Sequence, residues 1–154
     1  MIDIDETDRR ILSVLQTDGR ITNAELAERI HLSESACHRR VRRLEASGVI
    51  EGYFAHLNPA VLGRPTDVFV EITLTDQHED TLDAFEAAVK DSPEIMFCHL
   101  MSGTADYLLH IVTSDTAGYE RIHRTVLARL PSVSRIRSSF ALRTVSKKTA
   151  LDLT

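Results

Sequence analysis

Four arginines fall within five consecutive positions of the stretch CHRRVRRLEASGVI: Arg39, Arg40, Arg42 and Arg43. A guanidinium is permanently charged and presents a planar fork of N–H donors. Such a cluster suits phosphate oxygens or the O6/N7 edge of guanine. The 154-residue chain is nevertheless acidic, with a net charge of −5. Between Ser33 and Ser47 four Arg stand against two Glu, so contact with nucleic acid has to come from a local patch and not from bulk charge.

Phasing this stretch as a helix, at about 100° per residue, divides the arginines. Cys37, Val41 and Leu44 share the inward side. Arg39 points opposite them, flanked by Ser35, Arg42 and Arg43, with His38 nearer the edge. Arg40 lies on the other flank, toward a wing or a phosphate. Together with Ser33 at the helix start, these seven residues form the candidate DNA-binding set. A merely solvated basic face, with Glu45 pairing Arg42 or His38, is the competing reading, and the position of the helix decides between them.

A second constellation is Ser102-Gly103-Thr104-Ala105-Asp106. Glycine lets backbone amides approach a ligand carboxylate, and Asp106 can pair with an α-ammonium group. Equally, the stretch is a hairpin turn whose aspartate caps backbone amides, and the residues by themselves favour that alternative.

Catalytic and metal patterns are lacking. The seven histidines (31, 38, 56, 78, 99, 110 and 123) show neither HxxxH nor HExxH spacing, and there is no CxxC, Walker A or GxSxG motif. Cys37 lies on a core face, a poor place for a nucleophile. The chain reads as a non-enzyme, without catalytic residues, metal ligands or cofactor.

The elements that position these residues are legible in order. Asp5 caps a helix to about Thr17, stopped by Asp18-Gly19. Thr22-Asn23-Ala24-Glu25 is a capping box, with Ile21 and Leu26 placed as a hydrophobic staple. That helix breaks at His31-Leu32-Ser33, and Ser33 caps a third helix ending near Ser47-Gly48. Two helices across a three-residue turn are the helix-turn-helix pattern, and its second helix carries the arginines. Residues 49–57 are rich in β-formers and predict a small wing or linking strand. Asn58-Pro59 and Gly63-Arg64-Pro65 mark a linker. Beyond it the periodicity alternates strand, helix, strand, strand, helix, strand, a ferredoxin-like βαββαβ order. Two helices cover one face of such a sheet, and the other face predicts dimerisation.

The fold class is therefore α+β, with a winged helix-turn-helix at 1–50, a linking strand and linker at 51–65, and a ferredoxin-like domain at 66–154. Hydrophobic residues make up 43% and charged residues 27%, the balance of an ordinary soluble protein. No apolar run is long enough to cross a bilayer, and MIDIDETDRR lacks a signal-peptide core. A cytoplasmic protein with reduced Cys37 and Cys98 is expected.

The segment from ETDRRIL to GYFAHLNP, with DGR, ELA, LSxS, RVRRLE and GVI in register, resembles the DNA-binding half of the Lrp/AsnC transcription regulators. HLMSGTADYLLHIV and LPSVSRIRSSFAL resemble their ligand-sensing half. His31 departs from the glycine common between the two helices, although histidine tolerates the left-handed conformation better than most. The resemblance implies a sequence-specific regulator of double-stranded DNA. It also implies an amino-acid effector bound between subunits, and self-assembly of dimers toward octamers. It favours the ligand reading of Ser102, Gly103, Thr104, Ala105 and Asp106, and adds Ser138, where similar proteins often carry a pocket-facing threonine. The alternatives are an effector-independent architectural DNA-binding protein, separable by titrating ligand against oligomer mass, and, less favoured, an enzyme on the ferredoxin-like domain.

Overall fold

The computed structural model describes residues 3–153. Chain contacts divide it into two units: residues up to His56 together with those from Val145 onward, and Leu57–Thr144.

The first unit contains α1 (Glu6–Thr17), α2 (Asn23–Ile30) and α3 (Glu34–Ala46). Each helix starts at a side chain that accepts from an orphan amide. Asp5 and Asp8 cap reciprocally, Asp8 N donating to Asp5 Oδ1 at 2.8 Å and Asp5 N to Asp8 Oδ2 at 3.2 Å. Thr22 and Glu25 form the capping box of α2. Ser33 accepts from Ala36 N at 3.3 Å. His31 ends α2 in the left-handed conformation, φ 60°, and Leu32 N closes back onto Ala27 O at 2.9 Å. Ile11, Leu26, Ala27, Ile30, Cys37 and Leu44 form the buried core, with Leu15, Val41 and Ile50 against it.

The predicted wing is not formed. Among the described residues no strand lies between α3 and the first strand at Thr66. Ser47 and Gly48 finish α3 instead, with Val49 N and Ile50 N both donating to Leu44 O. A strand needs a partner for its amides, and residues 51–57 have none within the chain. Phe54 and Leu57 there are 86% and 63% exposed.

The predicted 66–154 boundary also differs from the contacts, because the chain from Val145 returns to the first unit. Gln16 recognises the backbone of Leu151 at two points: Leu151 N donates to Oε1 at 2.6 Å, and Nε2 donates to Leu151 O at 3.1 Å. Arg9 donates to Leu153 O at 3.2 Å.

The second unit runs β1 (Thr66–Leu74), α4 (Glu79–Lys90), β2 (Ile95–Leu100), β3 (Tyr107–Thr113), α5 (Thr116–Thr125), a single 3-10 turn (Leu127–Arg129) and β4 (Val133–Phe140). The sheet order is β2-β3-β1-β4, antiparallel throughout. Period-2 alternation sends Val68, Val70, Ile72 and Leu74 of β1 into the core beside Tyr107, Leu109 and Ile111 of β3. Phe85 and Val89 of α4, with Tyr119 and Ile122 of α5, cover that face. On the opposite face the rings of Phe69 and Phe97 stack on His110, with centroids 5.0 and 5.9 Å away.

Candidate nucleic-acid interface and effector loop

The outward side of α3 emerges where its phasing predicts. Cys37 and Leu44 are fully buried, and Ser35, His38, Arg39, Arg42 and Arg43 are exposed. Ser33 is occupied as the helix cap, with its hydroxyl 3.3 Å from that of Ser35. Arg42 is 72% exposed at its side chain and makes only a loose contact with Glu45, at 3.4 Å. Glu45 also accepts from Tyr53 OH at 3.2 Å.

Arg40, expected toward a wing or a phosphate, and Arg43, expected on the outward face, are both engaged by the acidic start of α1. The Arg40 guanidinium donates to Asp5 at 2.6 Å and to Asp8 at 2.9 Å, and that of Arg43 donates to the other oxygen of Asp8. The Asp8 side chain is completely buried. A buried carboxylate is tolerated only when paired and hydrogen-bonded, and these two arginines are the cations within reach. The backbone amide of Asp8 holds the Asp5 carboxyl below its ordinary value, and Arg40 adds to the effect. The same contacts raise Arg40 further.

Within its own helix Asp8 is only a favourable charge at the positive end. Its spacing to Ile11 and Leu15 was the available signal, since Asp8 shares their apolar stripe. A charge on such a stripe demands a partner from a neighbouring helix.

In the second unit, the loop between β2 and β3 closes with Met101 N donating to Asp106 O at 2.8 Å. Ser102, Gly103 and Thr104 are exposed and Ala105 is half-buried. A Cβ added at Gly103 meets no atom within 4 Å, and Gly103 does not adopt positive φ. The fold of the single chain therefore makes no demand for glycine there.

Asp106 takes the amide-capping role that the residues by themselves favour. It is 7% exposed, accepts from Leu74 N at 2.7 Å and from Gln77 Nε2 at 2.6 Å, and so anchors the loop to the end of β1. Gln77 was not foreseen, because nothing in its local sequence marks a partner 29 residues away. Ser138 lies opposite Val70 on β4 and hydrogen-bonds Tyr119 OH, facing the helix layer. β1 separates Ser138 from β3 and the loop, so the chain alone does not unite the predicted effector set.

The thiols offer little nucleophilicity. Burial raises Cys37, and Cys98 is pushed up to about 11 by burial and then by Glu86.

A family model for winged helix-turn-helix DNA-binding matches residues 4–51, and one for the Lrp/AsnC ligand binding domain matches residues 67–151. The leucine-responsive regulatory protein of Salmonella typhimurium is 45% identical over 149 residues, 97% of this chain and 91% of the relative. Its counterpart from Escherichia coli is 44% identical over the same shares. Among solved structures, a Neisseria meningitidis transcriptional regulator in complex with L-methionine superposes with a TM-score of 0.92 at 34% identity, covering 98% of this chain and 97% of that one. An AsnC family regulator from Agrobacterium tumefaciens gives 0.91 at 34% identity, covering 97% of each chain.

Proposed function

The chain belongs to the Lrp/AsnC family of transcription regulators, and from that premise we propose how its residues divide the work. It is a DNA-binding regulator whose activity is modulated by an amino-acid effector. One observation carries the residue assignment. The second helix of a capped helix-turn-helix presents Ser35, His38, Arg39 and Arg42 outward while its apolar side is sealed in the core. Arg39 reads a base edge in the major groove of double-stranded DNA, and Arg42, Ser35 and His38 support it through phosphate and base contacts. Ser33 contributes by setting where the helix begins.

The effector meets the loop Ser102–Ala105. Exposed residues and a glycine that the fold itself does not require leave room there for a carboxylate or a second subunit. Asp106 positions this loop through Leu74 and Gln77. Ser138 joins the pocket only if α5 yields its Tyr119 contact or a partner subunit completes the site. Relatives named for leucine, and one solved with methionine, make an apolar α-amino acid the class to test first.

Self-association runs through the open sheet face into dimers and onward toward octamers, in the cytoplasm and without catalysis. The effector acts by binding one assembly better than another, because a ligand shifts an equilibrium only by its differential affinity.

The test begins with a duplex selected from a random library by the wild-type protein. Its affinity and the oligomer mass are measured with each of the twenty amino acids. Salt-sensitive binding and a response to leucine, methionine or a similar side chain are expected. If no amino acid alters either quantity, the effector assignment fails. If retention on DNA does not fall with salt, the DNA assignment fails.

A further inference from the structure

Asp8 sits at the junction of α1 and α3, and both of its carboxylate oxygens are engaged from within the chain. Its Oδ1 takes Arg40, and its Oδ2 takes the Asp5 backbone amide and Arg43. The side chain has no solvent exposure, whereas those of Arg40 and Arg43 keep 26% and 46% of theirs. Charge is therefore buried at one point on α1 and tethered from two successive turns of α3, about 4.5 Å apart along the helix axis.

Two tethers to one fixed carboxylate determine the rotation of a helix about its own axis, which a single tether does not. Rotation is the variable that decides which α3 side chains reach the base edges. With Arg40 and Arg43 held at this flank, Ser35, His38, Arg39 and Arg42 are left outward.

We propose that Asp8 is the positioning residue of the DNA-reading helix: it fixes the rotation of α3 and withholds Arg40 and Arg43 from the phosphate backbone. This rests on α3 being the reading helix. Asp8 does not touch DNA and acts through the two arginines. Its effect on recognition is therefore opposite in sign for the two classes of DNA. Specific binding depends on the rotation that Asp8 sets, while non-specific binding depends on free positive charge, which Asp8 removes.

The experiment compares wild type with Asp8→Asn, which keeps the side chain's size and removes its charge. Two probes are used: the best duplex selected by wild type, and random-sequence duplex of equal length, each across a salt series. In Asp8→Asn the ratio of specific to non-specific affinity is expected to fall by about tenfold or more. Its non-specific binding at low salt is expected to strengthen, the log–log salt slope steepening by about 0.9 for each guanidinium that reaches a phosphate. A parallel fall in both affinities with an unchanged slope overturns the proposal, because that is the signature of a damaged fold.

Arg43→Gln decides the matter if Asp8→Asn does not fold, since it leaves the Asp8–Arg40 pair in place. It is expected to retain the wild-type slope, and a slope shallower by about 0.9 overturns the proposal by placing Arg43 on a phosphate. Arg39→Gln checks the premise separately. It is expected to weaken the selected duplex, and if it leaves both probes untouched α3 is not the reading helix and the assignment of Asp8 falls with it.

Discussion

Asp8 and Asp106 are both aspartates in unfavourable surroundings, and each is stabilised by donors distant in sequence. Asp106 accepts one backbone amide and one side-chain amide, so removing its carboxylate leaves the buried Leu74 amide unmatched, while the exposed Gln77 amide can turn to water. Asp106→Ala is expected to lower unfolding free energy by about 1–3 kcal/mol, measured by urea denaturation. An unchanged midpoint would return Asp106 to the role of a free ligand carboxylate. Asp5 makes a pH prediction with a definite sign. Its folded pKa lies below the ordinary value of 3.8, so its contribution is present above that pH and disappears as pH falls through the lower folded value. The gap in urea midpoint between wild type and Asp5→Asn should therefore be constant above about pH 5 and close on acidification below 4. The division of α3 into buried and exposed residues was readable from its spacing, because helical periodicity is local. The assignment of Arg40 and Arg43 was not, because their partners lie 32 to 35 residues away and only the packing of α1 on α3 brings them together.

At the scale of elements, caps carried the most information. Asp5, Thr22 and Ser33 each stand where a helix begins, since a cap acts on amides two or three residues ahead and needs nothing remote. His31 continues the same logic at a helix end. Its φ of 60° imposes a steric cost of roughly 1–2 kcal/mol on a residue with a Cβ, and β-branching increases it. His31→Val should destabilise the first unit and His31→Gly should not, as thermal melts of the two variants will show; equal melting temperatures would contradict the left-handed cap. Two elements resisted prediction for one physical reason. Residues 49–57 have strand-forming composition but no partner strand, and composition cannot supply one. The composition of the tail beyond Val145 is compatible with a short strand, a packed end or a solvated terminus. Its destination on α1 is set by side chains remote in sequence, the Gln16 amide on the Leu151 peptide group and Arg9 on Leu153 O. Gln16→Ala is expected to release that tail, so limited proteolysis should cleave after Lys147 or Lys148 several-fold faster while helix content by circular dichroism is retained. Unaltered cleavage would mean that Gln16 does not hold it.

For the whole molecule, the decisive surface is the sheet face without helices. It carries Phe69 and Phe97 at 42% and 58% exposure, stacked about His110, whose Nε2 lies 2.7 Å from Asp67. Around this aromatic centre β1 presents Asp67 and Glu71, and β4 presents Arg135 and Arg137, with Arg137 3.6 Å from Glu71. In the proposed dimer this face, with its exposed aromatic rings and its acidic and basic strands side by side, is the surface that two copies would share about a two-fold axis. In the proposed assembly two copies joined there carry two reading helices, the number that a two-half-site operator calls for. Phe97→Asp should therefore raise the dimer dissociation constant by at least about tenfold, because the new carboxylate must be desolvated to enter the contact. Sedimentation equilibrium measures that change directly. The same variant should lose affinity for the selected duplex and keep most of its affinity for random DNA at low salt, since each separated subunit retains an intact α3. Dimers of undiminished stability in Phe97→Asp would exclude this face as the contact. Weakened dimers with unchanged binding to the selected duplex would show instead that one reading helix is enough.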